Sequence, residues 1–220
     1  MIRKGRYTNA QKRSYEALAE RFIVPFSREK PDFQKIFDGG NVTLEIGFGM
    51  GIATAEIAQA NPGKNYLGVE VHRPGIGRLL WEIEKRSLSN IRIVEHDAAQ
   101  VVNEMIPCGS LEAIHIFFPD PWPKKRHRKR RLVQRPFTET LSRCLKQGGY
   151  LYMVTDWEDY AVHALEELTA TAGFKNAYEG FAPPQTWRPV TKFEQKGIAE
   201  DHAIRELYFE RVNDVIFDTY

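Results

Sequence analysis

The stretch NVTLEIGFGMGIATAEIAQAN, residues 41–61, holds an apolar β-branched run, three glycines and an alanine-rich run in direct succession. The first run predicts a buried strand and the last run predicts a helix, so the glycines stand at a strand-to-helix turn. Glycine permits the left-handed backbone and the close ligand approach that such a turn needs. The stretch is therefore typical of the first strand and helix of a parallel α/β sheet.

The same alternation continues along the chain. Further strands are predicted over residues 65–71, 90–97, 111–118 and 146–156, and helices over residues 74–88, 98–105, 133–145 and 158–173. Five alternations predict an α/β fold with a parallel sheet and helices on both faces. The pattern changes at the end, where strands at 174–179 and 203–212 flank a predicted loop of about 25 residues.

Length and composition bound the class of protein. The chain has 220 residues, of which 42% are hydrophobic, enough for one domain with a substantial core. The net charge is only +2, yet basic residues cluster, which indicates an anionic partner at one face. Cys108 and Cys144 have no metal-site spacing and are expected to be reduced core thiols. With no signal-peptide pattern and no apolar run near the roughly 18 residues of a membrane span, we expect a cytoplasmic protein.

Acidic residues end the first three predicted strands. Glu45 lies in the first strand, just before the glycine turn. Glu70 lies at the end of the second strand and Asp97 at the end of the third. Open α/β sheets bind ligands at this carboxyl edge, where an acid accepts hydrogen bonds from ribose hydroxyls. Glu45 disfavours a phosphate and suits an amino group, and Asp97 suits an adenine amine. S-adenosylmethionine carries an amino-acid moiety, a ribose and an adenine but no phosphate, and it fits this set.

Two alternatives compete with that interpretation. The glycines could form only a tight turn while the acids cap helices. A dinucleotide site is the other alternative, but its fingerprint is GxGxxG, whereas Gly47, Gly49 and Gly51 have the spacing GxGxG.

The stretch FFPDPWPKKRHRKRRL, residues 117–132, follows the fourth predicted strand. Its prolines restrict the backbone around Asp120, so the carboxylate is held on a stiff loop. Trp122 offers a surface on which a base can stack. Residues 124–131, of which seven are Lys or Arg, can contact nucleic-acid phosphates. The stretch therefore predicts a site that takes a base while holding its strand, with a structural turn beside a solvated basic face as the alternative.

Four motifs together resemble the bacterial tRNA (guanine-N7-)-methyltransferase family. They are LEIGFGMG at 44–51, LGVEVHRPG at 67–75, FPDPWPKKRHRKRRL at 118–132 and TKFEQKG at 191–197. The resemblance implies a Rossmann-like class I methyltransferase with a seven-stranded, mostly parallel sheet. It also implies methyl transfer from S-adenosylmethionine to N7 of guanine 46 in the variable loop of tRNA. The product of the donor would be S-adenosylhomocysteine.

The resemblance also implies roles for individual residues. Donor-site positions fall on Glu45, Gly47, Gly49, Gly51, Glu70, Asp97 and Asp120, and Asp120 is also the expected catalytic residue. Substrate-binding positions fall on Lys124, Asp156, Thr191, Lys192, Phe193 and Glu194. RNA-binding positions fall on Arg126, His127, Arg128, Lys129, Arg130 and Arg131. One departure is Lys196, where the family more often has an arginine, whose bidentate fork lysine cannot reproduce.

Methylation of guanine N7 requires few catalytic groups from the protein. The atom carries an in-plane lone pair and no proton, so no general base is needed, and alignment and electrostatics suffice. The purine gains positive charge as the bond forms, which a carboxylate at Asp120 favours. Asp156 and Glu194 are both candidates to bind the guanine N1–H and amine, while Asp156 has a helix N-cap as its alternative role.

The domain plan and partners follow from the same interpretation. We predict a basic, partly mobile extension over residues 1–40 that folds over donor or tRNA, a methyltransferase domain over 41–212 and a tail over 213–220. The expected partner is tRNA, with no membrane, no obligatory protein partner and a monomer or homodimer. The six histidines lack metal-ligand spacing, so no metal is expected, and His115 is expected in the core.

Two other classes of function are compatible with parts of the sequence. One is a non-catalytic RNA-binding module on the same scaffold, which would not need intact donor residues. The other is a methyltransferase acting on a protein or a small molecule, which would not need the basic run.

Overall fold

The computed structural model describes residues 8–37, 39–199 and 202–213. The strands are β1 (Val42–Ile46), β2 (Asn65–Glu70), β3 (Ile91–Glu95), β4 (Leu111–Phe117), β5 (Leu145–Thr155), β6 (Phe174–Asn176) and β7 (Arg205–Arg211). The helices are α1 (Asn9–Phe22), α2 (Phe33–Phe37), α3 (Ile52–Ala60), α4 (Arg73–Arg86), α5 (Ala98–Gln100), α6 (Phe137–Cys144), α7 (Glu158–Thr169) and α8 (Lys192–Ala199). A π-helical turn (Val101–Met105) follows α5, and a 3₁₀ turn (Lys125–Arg130) lies in the basic run.

The seven strands form one sheet in the order β3-β2-β1-β4-β5-β7-β6. β1 pairs with β2, β2 with β3 and β4 with β5, all in parallel. In the second part of the sheet β7 reverses direction, since it is antiparallel to both β5 and β6. The predicted seven-stranded, mostly parallel α/β sheet is therefore confirmed.

The first compact unit runs through residue 107 and includes residues 185–191. Every residue of β1 is buried, and so are the first five of β2. Because alternate residues of a strand face opposite sides, continuous burial means that both faces of these strands are covered. The glycine turn therefore follows a strand that is buried on both faces.

The amino-terminal segment belongs to this unit as far as it is described. Helix α1 packs on α4, and Ile23 forms a parallel bridge with Ile93 of β3. The Tyr15 hydroxyl donates to the Glu95 carboxylate at 2.5 Å, and the Arg73 guanidinium donates to the same carboxylate at 2.6 Å. The described part of the predicted extension is therefore packed on this unit. Residues 1–7 and 38 lie outside the described residues, and the partial mobility of the extension stays a prediction.

The second compact unit comprises residues 108–184 and those from 192 onward. Its core lies between β5, β7 and α7, with Tyr152, Tyr160 and Phe209 fully buried. The predicted core position of His115 is confirmed, since its side chain is buried and its Nε2 lies 3.2 Å from the Tyr150 hydroxyl.

Four local predictions differ from the structure. Helix α6 begins at Phe137 rather than at residue 133, because Pro136 is its N-cap and the Val133 amide donates to the Tyr160 hydroxyl instead. The strand predicted over 174–179 ends at Asn176. The long loop before β7 contains α8, a helix of eight residues. Cys108 is exposed rather than in the core, whereas Cys144 is buried, and both are free thiols.

Candidate functional site

The glycine turn at the end of β1 is built from left-handed backbone. Gly47, Gly49 and Gly51 have φ values of 73°, 57° and 66°, a region in which other residues are strained. A Cβ atom added at Gly47 or Gly49 would meet nothing within 4 Å. The turn therefore presents bare backbone to open space, which suits close approach by a ligand.

Helix α4 packs directly against this turn. A Cβ atom at Gly51 would lie 2.6 Å from the Leu79 Cβ, and a Cβ atom at Gly75 would lie 1.9 Å from the Gly49 carbonyl oxygen. Only a glycine fits at Gly75, because the atom in the way is backbone. Sequence reasoning did not assign Gly75 to the site. Gly75 lies in the first turn of a predicted helix, where glycine costs less than in a helix interior, so the sequence carried no clear signal for its packing role.

Glu70, at the end of β2, organises the same turn. Its carboxylate accepts hydrogen bonds from the Gly49 amide at 2.9 Å, the Val71 amide at 2.7 Å and the His72 amide at 3.0 Å. His72 precedes the first residue of α4, so one carboxylate joins the glycine turn to the start of that helix. Three of the roughly four lone-pair sites of the Glu70 carboxylate are thus used, and one on Oε2 is left for a ribose hydroxyl.

Glu45 is a buried carboxyl in the middle of this region, with only 2% of its surface exposed. Burial raises the pKa of Glu45 from its usual 4.5 to about 7, the Thr54 hydroxyl opposes that rise and the Glu70 charge adds to it. A carboxyl so placed is costly to ionise without a cationic partner. The arrangement therefore suits a ligand that brings an amino group.

Asp97 follows β3 and caps helix α5. Helix capping was the alternative role given above for these acidic residues. Its Oδ1 accepts a hydrogen bond from the Gln100 amide at 3.0 Å at the start of α5. The residue is exposed, and its second oxygen has capacity for another donor. Beside it the His96 and Phe26 rings stack with their centroids 4.0 Å apart. Capping and ligand binding are thus compatible at Asp97.

The loop after β4 carries Asp120 on a strained backbone. Phe118 and Trp122 have positive φ values of 49° and 46°, which cost energy in residues other than glycine and often mark functional loops. The Phe118 amide continues the ladder with β5 by donating to the Val154 carbonyl at 2.8 Å. Asp120 itself is exposed, so its carboxylate is open to a ligand.

The basic run divides into two sets in the structure. Its exposed cations are Lys124, Lys125, Arg126, Lys129 and Arg130. By contrast Arg128 and Arg131 both pair with Asp159, and Arg131 is buried. We therefore leave Arg131 out of the RNA-contacting set and assign it a structural role.

Trp122 is in contact with the basic run. The Arg130 guanidinium lies 5.0 Å from the centre of its ring, and His127 meets it edge-on at 5.9 Å. The predicted stacking of a base on Trp122 would have to use the ring surface that these two side chains leave free.

Asp156 and its neighbours line an open cavity of about 410 Å³ in the second unit, together with Trp157, His202 and Asp159. The His202 Nδ1 lies 3.7 Å from an Asp156 carboxylate oxygen and has no hydrogen-bond partner among the described residues. Helix α8 packs here, since a Cβ atom at Gly197 would lie 3.1 Å from the Asp156 Cβ. Sequence reasoning did not assign His202 to the site, and one histidine without a motif gave no signal.

The TKFE residues lie at the start of α8. Thr191 precedes the helix and Glu194 is buried within its first turn. The structure thus brings the helix that carries Glu194 against Asp156. The side chains of Lys192, Phe193 and Lys196 lie outside the described part of the structure, so their predicted roles stay predictions.

Neither a metal site nor a membrane span is found in the part of the chain that the structure describes. No group of three or more His, Cys, Asp or Glu side chains could hold a metal ion there. None of the helices described is long and apolar enough to cross a membrane.

Comparison with known proteins gives matches of two kinds. A family model described as "Putative methyltransferase" matches residues 40–207. A tRNA (guanine-N(7)-)-methyltransferase of Nitrosomonas europaea is 49% identical over 96% of this chain and 95% of its own length. One from Ralstonia pickettii is 49% identical over 95% of this chain and 82% of its own.

Solved structures show the same fold at low identity. The 16S rRNA methyltransferase KamB superposes with a TM-score of 0.62 at 13% identity, covering 84% of this chain and 95% of its own. The antibiotic-resistance methyltransferase Kmr gives 0.58 at 17% identity, covering 86% and 95%. The sheet order and the glycine turn define a class I methyltransferase, a class whose methyl donor is S-adenosylmethionine. Within that class, the chain belongs to the tRNA (guanine-N7-)-methyltransferase family.

Proposed function

We propose that this protein transfers the methyl group of S-adenosylmethionine to N7 of guanine 46 in the variable loop of tRNA, forming 7-methylguanosine. The observation that carries the proposal is the 49% identity to the Nitrosomonas europaea enzyme over nearly the whole of both chains. The basic run supports a nucleic-acid substrate, and the cavity lined by Asp156 and Asp159 supports a polar site for its base. Because its substrate is tRNA, we propose that the protein acts in the cytoplasm.

In this proposal the first unit holds the donor. The open space above Gly47 and Gly49 supports close approach of the donor backbone, and Glu45 receives its amino group. Glu70 accepts from a ribose hydroxyl with its remaining lone pair, and Asp97 accepts from the adenine amine. The donor supplies an electrophilic methyl group on its sulfonium sulfur and leaves as S-adenosylhomocysteine. No metal is proposed.

The second unit receives the guanine. Asp120 stabilises the positive charge that the purine gains at N7, and no residue has to remove a proton from that atom. Asp156 and Glu194 are the candidates to bind the N1–H and the exocyclic amine, and Lys124, Thr191, Lys192 and Phe193 complete the substrate set. A monomer or homodimer without an obligatory protein partner stays a prediction.

The direct test of this function uses labelled donor and unmodified tRNA. The wild-type protein should transfer label to the RNA, and nucleoside analysis of the product should give 7-methylguanosine. Label in another nucleoside would overturn the proposed substrate atom. Label in protein or small molecules with none in RNA would overturn the substrate class.

The raised pKa of Glu45 predicts a pH dependence of stability. A group with a pKa of 4.5 unfolded and about 7 folded stabilises the protein most below about pH 4.5. That contribution is lost as the pH rises to about 7, so the free energy of unfolding should fall by roughly 3 kcal/mol over this window on account of Glu45. Urea unfolding at several pH values measures it, and Glu45→Gln should remove this part of the decline.

The same carboxyl predicts a pH dependence of donor binding. If ionised Glu45 pairs with the amino group, the affinity for S-adenosylhomocysteine should rise as the pH approaches 7, by up to about tenfold per pH unit. In Glu45→Gln the affinity should be weak and this rise should be absent. A wild-type affinity that does not change between pH 5.5 and 7 would remove Glu45 from the donor site.

The basic run predicts a salt dependence of tRNA binding. Arg126 is exposed, so Arg126→Gln should remove one phosphate contact. The slope of log affinity against log salt should then fall by about 0.7 to 0.9. Filter binding between low and moderate salt measures the slope. The comparison is Lys175→Gln, at an exposed lysine of β6 without a predicted RNA contact, which should keep the wild-type slope. An unchanged slope in Arg126→Gln would show that Arg126 makes no such contact.

A further inference from the structure

Arg131 ends the basic run with a buried charge. Its side chain has 0% of its surface exposed, whereas five of the other cations of the run are exposed. Arginine is almost never buried to this extent unless its charge is paired and its donors are used. Arg131 therefore has a role inside the protein, and the contacts of its guanidinium show which segments it joins.

The guanidinium binds two separate segments. Its Nε donates to the Pro121 carbonyl at 3.0 Å. On its other side Nη2 donates to the Asp159 carboxylate, and Nη1 lies 3.4 Å from the Asp159 carbonyl. The group also lies over the Tyr160 ring, 4.9 Å from its centre. These contacts need the planar fork of arginine, because a lysine ammonium cannot reach both segments with the same geometry.

The two segments are those that carry the predicted guanine contacts of the second unit. Pro121 directly follows Asp120, and the loop around it holds two residues at positive φ, which persists only where surrounding contacts enforce it. Asp159 lies in the first turn of α7, three residues after Asp156. The Arg131 hydrogen bond lowers the pKa of Asp159, which keeps that carboxylate ionised and the pair intact.

We propose that Arg131 is a positioning residue for methyl transfer, which holds the Asp120 loop against the start of α7 so that Asp120 keeps its place toward the guanine. This role rests on the proposed function, because it acts through Asp120. It also separates Arg131 from its neighbours in sequence, whose exposed charges are available to RNA phosphates.

The variant Arg131→Lys tests the proposal, since it keeps the charge and removes the fork. We expect kcat to fall about 10- to 100-fold, the size of effect that a displacement of about 1 Å has on alignment. The dissociation constants for S-adenosylhomocysteine and for tRNA should stay within twofold of wild type, and the salt slope should not change. The neighbouring variant Arg130→Gln is the matched comparison, because it should lower the salt slope by about 0.7 to 0.9.

A double-mutant cycle distinguishes positioning from general structural damage. If Arg131 acts through Asp120, Arg131→Lys should cost nothing further in an Asp120→Asn background, since the effects of residues acting as a unit do not add. Independent damage would give additive losses and would overturn the proposal. If Arg131→Lys does not fold, Asp159→Asn weakens the contact of Arg131 with α7 and should lower kcat several-fold. Because this variant also releases Arg128, its readout is kcat and not the salt slope.

Two results separate this proposal from the proposed function. Wild-type kcat in folded Arg131→Lys or Asp159→Asn, or a salt slope reduced in Arg131→Lys as in Arg130→Gln, would overturn the positioning role alone. A wild-type protein that binds donor but methylates no tRNA would overturn the function, and the role of Arg131 with it.

Discussion

Replacing Asp120 with asparagine should lower kcat for tRNA methylation by about 10²- to 10³-fold, the usual cost of removing one preorganised electrostatic contact from a transition state. The purine gains positive charge as N7 attacks, and an ionised carboxylate stabilises that charge in a way that a neutral amide cannot. Asparagine has the same shape, so the strained loop between Phe118 and Trp122 should keep its conformation. Single-turnover rates with enzyme in excess over tRNA measure the chemical step.

The matched control for this variant is Asp32→Asn. Asp32 is an exposed aspartate whose Oδ1 accepts from the Gln34 amide beside α2, a bond that asparagine can also make. In the control we expect wild-type rates and wild-type affinity for S-adenosylhomocysteine. Wild-type single-turnover rates in Asp120→Asn would remove the electrostatic role from this residue.

Replacing Gly75 with alanine should distort the glycine turn of the donor site, because Gly75 lies on the helix that packs against that turn. The new Cβ would stand 1.9 Å from the Gly49 carbonyl oxygen, so either α4 or the glycine turn has to move. Alanine in a helix is normally favoured over glycine by about 1 kcal/mol, whereas overpacking of this kind costs about 1–3 kcal/mol. We expect lower stability in urea unfolding and an affinity for S-adenosylhomocysteine weakened by about 100-fold, a misplacement effect.

The comparison for Gly75→Ala is Gly63→Ala, at a site where a Cβ atom would meet nothing within 4 Å and where φ is not positive. That variant should bind donor like wild type and should be at least as stable. Undiminished donor affinity in Gly75→Ala would mean that the turn can shift without loss, and that its observed conformation is not needed for binding.

The glycine turn could be predicted from the sequence because its physical causes are local. Strand pattern, glycines and helix pattern follow one another within residues 41–61, and only such an order gives a parallel α/β unit. The acids at the ends of β2 and β3 follow from the same logic, since parallel strands share one carboxyl edge. The contact of Gly75 with Gly49 could not be predicted, because it depends on how closely α4 approaches a turn from a different segment.

The buried position of Arg131 could not be predicted from the sequence either. Residues 124–131 read as a uniform cationic run, and the feature that singles out Arg131 is the presence of Pro121 and Asp159, which lie 10 and 28 residues away in the chain. Helix α8 was missed for a different reason, since its eight residues are too few and too polar to show a helical period. Local pattern thus located the site, while long-range packing assigned roles within it.

The central claim is that the methyl group goes to N7 of one guanine, and it is tested most directly by locating that atom. Unmodified tRNA transcript is incubated with the protein and S-adenosylmethionine, then treated with borohydride and aniline, which cleave the chain at 7-methylguanosine. We expect one cleavage, at guanine 46 of the variable loop, and its loss when that guanine is replaced by adenine in the transcript. Cleavage at another guanine, or methylated tRNA that aniline does not cleave, would contradict it.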